Sequence, residues 1–229
     1  MLAIAGGKGG CGKTTTALGL AQALVSRGYE PLVVDGDCDM PDIHHYTGVG
    51  RVGGVDALAE GQSVTEVAVH ASRFPGVSFI TGGRRKRLGT ALRRLQTWDG
   101  PVLVDCPAGI SPDALVPLRC ADTTVIVSTD QPQCLEDTER TIVVADRFQD
   151  STAGVLLRKT GARFRPNPSH LGVRDCPVLG RVPTVDNPLE NHRVRTEVRS
   201  VSRTVYPPTS REQGSSRGRP DSHTSSVSV

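Results

Sequence analysis

Lysine is scarce in this chain: Lys8, Lys13, Lys86 and Lys159 are all there are among 27 basic residues, and two of them share the stretch 8–13. Aromatic side chains are few. One Trp, three Tyr and four Phe give no interleaved stacking platform of the kind that holds single-stranded nucleic acid. No apolar run approaches the ~18 residues a membrane-crossing helix needs, so no integral membrane segment is expected. The apolar start, Met1 to Ala5, is too short for a signal peptide and lacks a basic flank, which predicts a cytoplasmic protein and makes those residues a first strand. Six cysteines are present, but no C-x-x-C pair occurs and no spacing fits a zinc or iron–sulfur frame; free thiols are expected. No internal repeat is found, which sets solenoids aside.

What the chain does contain is enough for one α/β domain: 229 residues, 37% hydrophobic and 22% charged. Short apolar, β-branched runs alternate with helical stretches. Strands are predicted at Leu2–Ala5, Pro31–Asp35, Val77–Thr81, Pro101–Asp105, Thr123–Ser128, Ala153–Leu157 and Pro177–Gly180, with helices near Thr14–Arg27, Leu88–Trp98, Ser111–Arg119 and Leu135–Phe148. The strands are apolar throughout rather than alternating, as in a sheet covered on both faces. The expected fold is therefore a doubly wound, mostly parallel sheet of about seven strands with helices on both faces, binding ligands at the carboxyl ends of the strands. Residues 1–199 are assigned to this domain and 200–229 to a disordered tail, because the last stretch has nine serines, three prolines and little apolar bulk. Charge is uneven: residues 1–150 hold 14 basic against 18 acidic side chains, residues 151–229 hold 13 against 6.

The strongest motif is Gly7-Lys8-Gly9-Gly10-Cys11-Gly12-Lys13-Thr14, a match to G-x-x-x-x-G-K-[ST] placed between a predicted strand and a predicted helix. Its glycines allow a sharp turn that aims backbone N–H groups at phosphate oxygens, and the helix that follows adds the positive end of its dipole. Lys13 is expected on the β- and γ-phosphates, the Thr14 hydroxyl on Mg²⁺, and Thr15 on a phosphate oxygen nearer the α position. Val102-Leu103-Val104-Asp105 is an apolar strand ending in a carboxylate, the arrangement that holds Mg²⁺ directly or through water. Val33-Val34-Asp35-Gly36-Asp37 ends the second strand at the same edge of the sheet. The nearby Cys38, Asp39, Asp42, His44 and His45 read as a switch loop leading into a short helix rather than as a metal site.

Lys8 through Thr15, Asp35-Gly36-Asp37 and Asp105-Cys106-Pro107-Ala108-Gly109 together resemble the deviant Walker A ATPases of the MinD/ParA group, closest to MinD-like proteins, over roughly residues 1–190. That resemblance implies an ATP- and Mg²⁺-dependent homodimer in which Lys8 crosses to the partner's nucleotide and is catalytic with Lys13 and Asp37. It implies that Asp37 orients the attacking water, that Asp35 supports the Mg²⁺ shell with Thr14 and Asp105, and that Gly109 shapes a turn sensing the γ-phosphate. It implies slow hydrolysis stimulated by an activating protein, in a role in intracellular positioning. Two departures stand out. The group usually has an adenine-contacting asparagine where this chain has Arg158, so base contact is assigned to Arg158 and to the backbone at Pro183. Residues 196–229 also show no apolar face opposite a basic one, so no membrane-targeting helix is expected there.

Two other readings stay open. Arg84-Arg85-Lys86-Arg87, with Arg93-Arg94 beyond, could neutralise DNA phosphates in a ParA-like partition ATPase. A nucleotide-binding metal-cluster carrier of the same fold would need ligands at the dimer axis, for which Cys106 and Cys134 are the candidates.

Overall fold

The computed structural model describes residues 1–50, 53–148, 152–160 and 176–207. Its elements run, in order, β1 (Leu2–Ala5), α1 (Lys13–Val25), β2 (Leu32–Asp35), α2 (Ile43–Thr47), α3 (Gly54–Glu60), α4 (Val64–Val67), β3 (Val69–His70), β4 (Ser78–Ile80), α5 (Arg85–Arg94), a 3₁₀ turn (Leu95–Thr97), β5 (Val102–Asp105), α6 (Leu115–Cys120), β6 (Thr123–Thr129), α7 (Pro132–Ala145), β7 (Thr152–Thr160), β8 (Val178–Pro183) and α8 (His192–Val205). The strands form one sheet in the order β3-β4-β2-β5-β1-β6-β7-β8, parallel except where β3 meets β4. The doubly wound α/β fold is thus present with eight strands rather than seven. The extra strand, β3, has only two residues and sits at the edge, too short to leave an apolar run in the sequence.

Because side chains alternate across a strand, each central strand feeds two cores. Leu2 and Ile4 of β1, Val33 of β2, Leu103 of β5 and Val125 and Val127 of β6 face the side covered by α1 and α8. Leu32 and Val34, with Val102 and Val104, face the side covered by α3 and α5. Ala3 and Ala5, with Ile126, pack on the same side against α6 and α7. Burial on both faces is why these runs show no polar alternation.

Three helices lie where the sequence reading drew none. Two are short: α3 starts among glycines, and α4 spans four residues behind a capping box in which Ser63 and Glu66 bond reciprocally. The third, α8, spans His192–Val205. Asn191 caps it, its side-chain oxygen accepting from the N–H groups of Arg193 and Val194 at 3.0 and 3.3 Å. Val194, Val198 and Val201 recur at helical spacing and are buried against α1. An ordered helix therefore runs through the boundary expected at 199/200 and ends at Val205, two residues before Pro207. The expectation that residues from 196 onward form no apolar face is corrected by the same stripe; that face is spent on the core. The Ser- and Arg-rich tail from 208 lies outside the described residues. Among the described residues no helix is long and apolar enough to cross a membrane.

Candidate functional site

β1 and α1 are joined by the glycine-rich loop, and backbone geometry explains its glycines. Gly10 and Gly12 adopt φ of 75° and 100°, left-handed values that side chains disfavour. A Cβ on Gly7 would land inside the side chain of Asp137 on α7. A Cβ on Gly9 or Gly10 would meet nothing within 4 Å, so the crest of the loop borders open space. Lys13 opens α1 with its side chain largely buried, and the Thr16 hydroxyl closes the first turn onto the Gly12 carbonyl at 2.8 Å.

Opposite the loop stand the two strand-end carboxylates. β2 and β5 pair in a register that sets Asp35 beside Asp105. Both are buried, and each has one oxygen, Oδ1, without a hydrogen-bond partner. Asp35 Oδ2 accepts from the Ile43 N–H at 3.2 Å, and Asp105 is bonded by the Thr14 side chain. Burial pushes their carboxyl groups up, Asp35 to about 7 and Asp105 to about 8. Two adjacent buried carboxylates with orphaned oxygens beside a threonine hydroxyl are a hard-cation donor set. The residues expected to hold Mg²⁺, Thr14, Asp35 and Asp105, thus converge and suit that ion.

A cleft of about 420 Å³ opens between these groups, lined by Gly9, Gly10, Lys13, Thr14, Asp37 and Asp105 among others. Asp37 stands in its wall with one oxygen accepting from the Met40 N–H at 3.1 Å, which leaves the other for a ligand or water. Gly109, at φ 80°, donates its N–H to the Gly6 carbonyl at 3.1 Å and ties the turn after β5 to the loop. On the far side of the loop a second cleft, about 380 Å³, is lined by the exposed Lys8 with Cys11, Thr129, Gln131, Lys159 and Thr184. Thr15 faces away from both, into a groove between α1 and α8. Pro183 ends β8 opposite Thr160 and lines none of these three spaces.

Arg158, expected at the base, also lines the groove between α1 and α8. The residue is 6% exposed, and its guanidinium lies beneath the loop, with Nη1 donating to the Gly12 carbonyl at 2.9 Å. The neighbouring Lys159, which the sequence reading passed over, donates from Nζ to the Gly10 carbonyl at 2.9 Å. No local motif marks Lys159; only the parallel pairing of β7 beside β6 brings residue 159 to the loop.

The basic cluster is largely engaged within the chain. Arg84 pairs with Asp56 and Glu60 at 3.1 and 3.2 Å, Arg85 with Asp39 and Asp113, and Arg87 with Glu60 at 3.3 Å. Cys106 and Cys134 are both buried, and burial raises the Cys106 thiol far above its usual range.

Residues 2–188 match the family pattern of the CobQ/CobB/MinD/ParA nucleotide binding domain. The chain belongs to this family. An uncharacterized ATP-binding protein of Methanocaldococcus jannaschii is 27% identical over 198 residues, 80% of this chain and 73% of its own. The septum site-determining protein MinD of Synechocystis is 24% identical over 196 residues, 81% of this chain and 74% of its own. Among solved structures, MinD of Pyrococcus horikoshii complexed with Mg-ADP superposes with a TM-score of 0.76 at 23% identity, covering 90% of this chain and 95% of that one. The mostly parallel α/β sheet described above is therefore that of a MinD/ParA-family nucleotide-binding domain.

Proposed function

We propose that this protein binds and slowly hydrolyses ATP with Mg²⁺ and pairs with a second copy around the nucleotide, acting as a positioning switch whose turnover an activating protein stimulates. The observation that carries this reading is the convergence of Lys13, Thr14, Asp37 and Asp105 on one cleft, with Asp35 paired beside Asp105. Mg²⁺ held by Thr14, Asp105 and Asp35 supplies charge neutralisation for the transferring phosphoryl group. Lys13 takes the β- and γ-phosphate charge, and Asp37 holds the water that attacks. Lys8, exposed on the crest of the loop, is free to reach across to a partner's phosphates. Positioning and charge are what phosphoryl transfer demands of a protein, and each of these residues supplies one or the other.

The DNA-binding alternative has less to stand on, because Arg84, Arg85 and Arg87 face carboxylates of their own chain. A metal-cluster carrier needs accessible thiolates, and Cys106 is buried beneath the switch turn.

The test is to size the Asp37→Ala protein by light scattering with and without Mg·ATP while phosphate release is followed. The variant is expected to bind ATP, to accumulate as a dimer, and to lose roughly 10²-fold or more in hydrolysis. Lys13→Ala is expected to lose binding and pairing together. A wild-type protein that binds Mg·ATP yet stays monomeric at every concentration refutes the pairing.

A further inference from the structure

Just before its end at Thr160, β7 carries two consecutive cations, and both bond carbonyls of the phosphate loop. Lys159 Nζ holds the carbonyl of Gly10 and Arg158 Nη1 the carbonyl of Gly12, each at 2.9 Å. These are the two left-handed glycines that shape the cradle. The guanidinium lies so close beneath Gly12 that an added Cβ there would sit 2.6 Å from Nη1.

The need for hydrogen bonds does not explain Arg158. The Gly12 carbonyl already accepts from the Thr16 N–H at 3.0 Å and the Thr16 hydroxyl at 2.8 Å. Among the described residues no carboxylate pairs with Arg158, its Nε has no partner, and burial pulls its pKa down. A buried cation without a counter-ion is costly, and such a cost persists where a ligand answers it. Lys159 carries a second cost. It is the one non-glycine residue with positive φ, 55°, among the described residues, and strain of this kind gathers at functional sites.

We propose that Arg158 and Lys159 are a two-cation clamp beneath the phosphate loop, fixing the Gly10 and Gly12 carbonyls rearward and supplying positive charge that bound phosphates neutralise. The clamp deepens the nucleotide-binding reading and rests on it. Both are positioning residues: they act through the loop and touch neither the base nor the reacting atoms. Their ligand is the polyphosphate itself, so their effect is the same with or without a nucleoside attached.

Calorimetric titration with Mg·ADP and with Mg·pyrophosphate tests this, alongside thermal melting of the ligand-free protein. Arg158→Met and Lys159→Gly are each expected to weaken both ligands by about tenfold, the scale of one charge-assisted contact. Arg158→Lys is expected to recover part of that affinity. Lys159→Gly relieves the positive φ, so it is expected to melt no lower than wild type while binding more weakly, a divergence that a purely structural lysine cannot produce. It also keeps the test open if Arg158→Met fails to fold. Weakened ADP with unchanged pyrophosphate returns these residues to base contact and overturns the clamp, as does unchanged affinity for both. Wild-type protein that binds neither ligand overturns the nucleotide reading and the clamp with it.

Discussion

Asp35 and Asp105 illustrate how much one residue's chemistry depends on its neighbours. Each carboxylate is ordinary in sequence; side by side and buried, each prefers to keep its proton. A carboxyl group whose pKa is raised on folding binds more protons in the native state than in the unfolded one. The stability it lends is therefore present at low pH and lost as pH rises from about 4, the unfolded value, through 7 and 8. Ligand-free protein is expected to melt at progressively lower temperature from pH 5 to 8, and Asp105→Asn is expected to flatten that slope; differential scanning calorimetry across this range reads it directly. The proposed Mg²⁺ binding is expected to work the other way, tightening with pH because the ion would displace those protons. Gly7 makes a steric case at the same scale. Gly7→Ala drives a methyl into Asp137 where α7 offers no room, and is expected to cost the protein its nucleotide binding, checked by equilibrium dialysis with Mg·ADP.

Among the elements, α8 runs across the boundary expected at 199/200. Its valines cover α1, the helix that carries Lys13, so packing at the rear of α1 supports the site at its front. Burying a valine side chain contributes about 2 kcal/mol. A chain ended at residue 199 loses fully buried Val201 and Ser202, together with the Ser202 carbonyl that Arg27 Nη1 bonds at 2.8 Å. Such a chain is expected to be several kcal/mol less stable than one ended at 207, seen as a lower urea midpoint. Composition misled here: arginine is abundant on α8 because its outer face meets solvent, and the i, i+4, i+7 valines mark the buried face. The edge of the sheet shows the opposite limit, since two-residue β3 is held by pairing with β4 rather than by any pattern of its own.

For the whole molecule, nucleotide binding and stability are one equilibrium. A ligand that binds only the native state adds RT ln(1 + [L]/Kd), about 2.7 kcal/mol at a hundredfold excess over Kd. Mg·ADP is expected to raise the melting temperature of the wild-type protein and to leave Lys13→Ala unmoved, as read by a thermal-shift titration. Net charge of +3 conceals a basic final third, while Arg84, Arg85 and Arg87 are paired with Asp39, Asp56, Glu60 and Asp113.

Some of this protein is written locally. Runs of β-branched residues ending in Asp35 and Asp105, and glycines spaced around Lys8 and Lys13, specify strand ends and a phosphate loop because their causes, steric freedom and two-faced burial, act over a few residues. Tertiary structure alone decided the rest. That Asp35 stands beside Asp105 depends on strand register, and that Arg158 and Lys159 lie under Gly12 and Gly10 depends on β7 crossing some 150 residues to reach the loop. Those are long-range juxtapositions, and no local propensity encodes the partner a buried charge will meet.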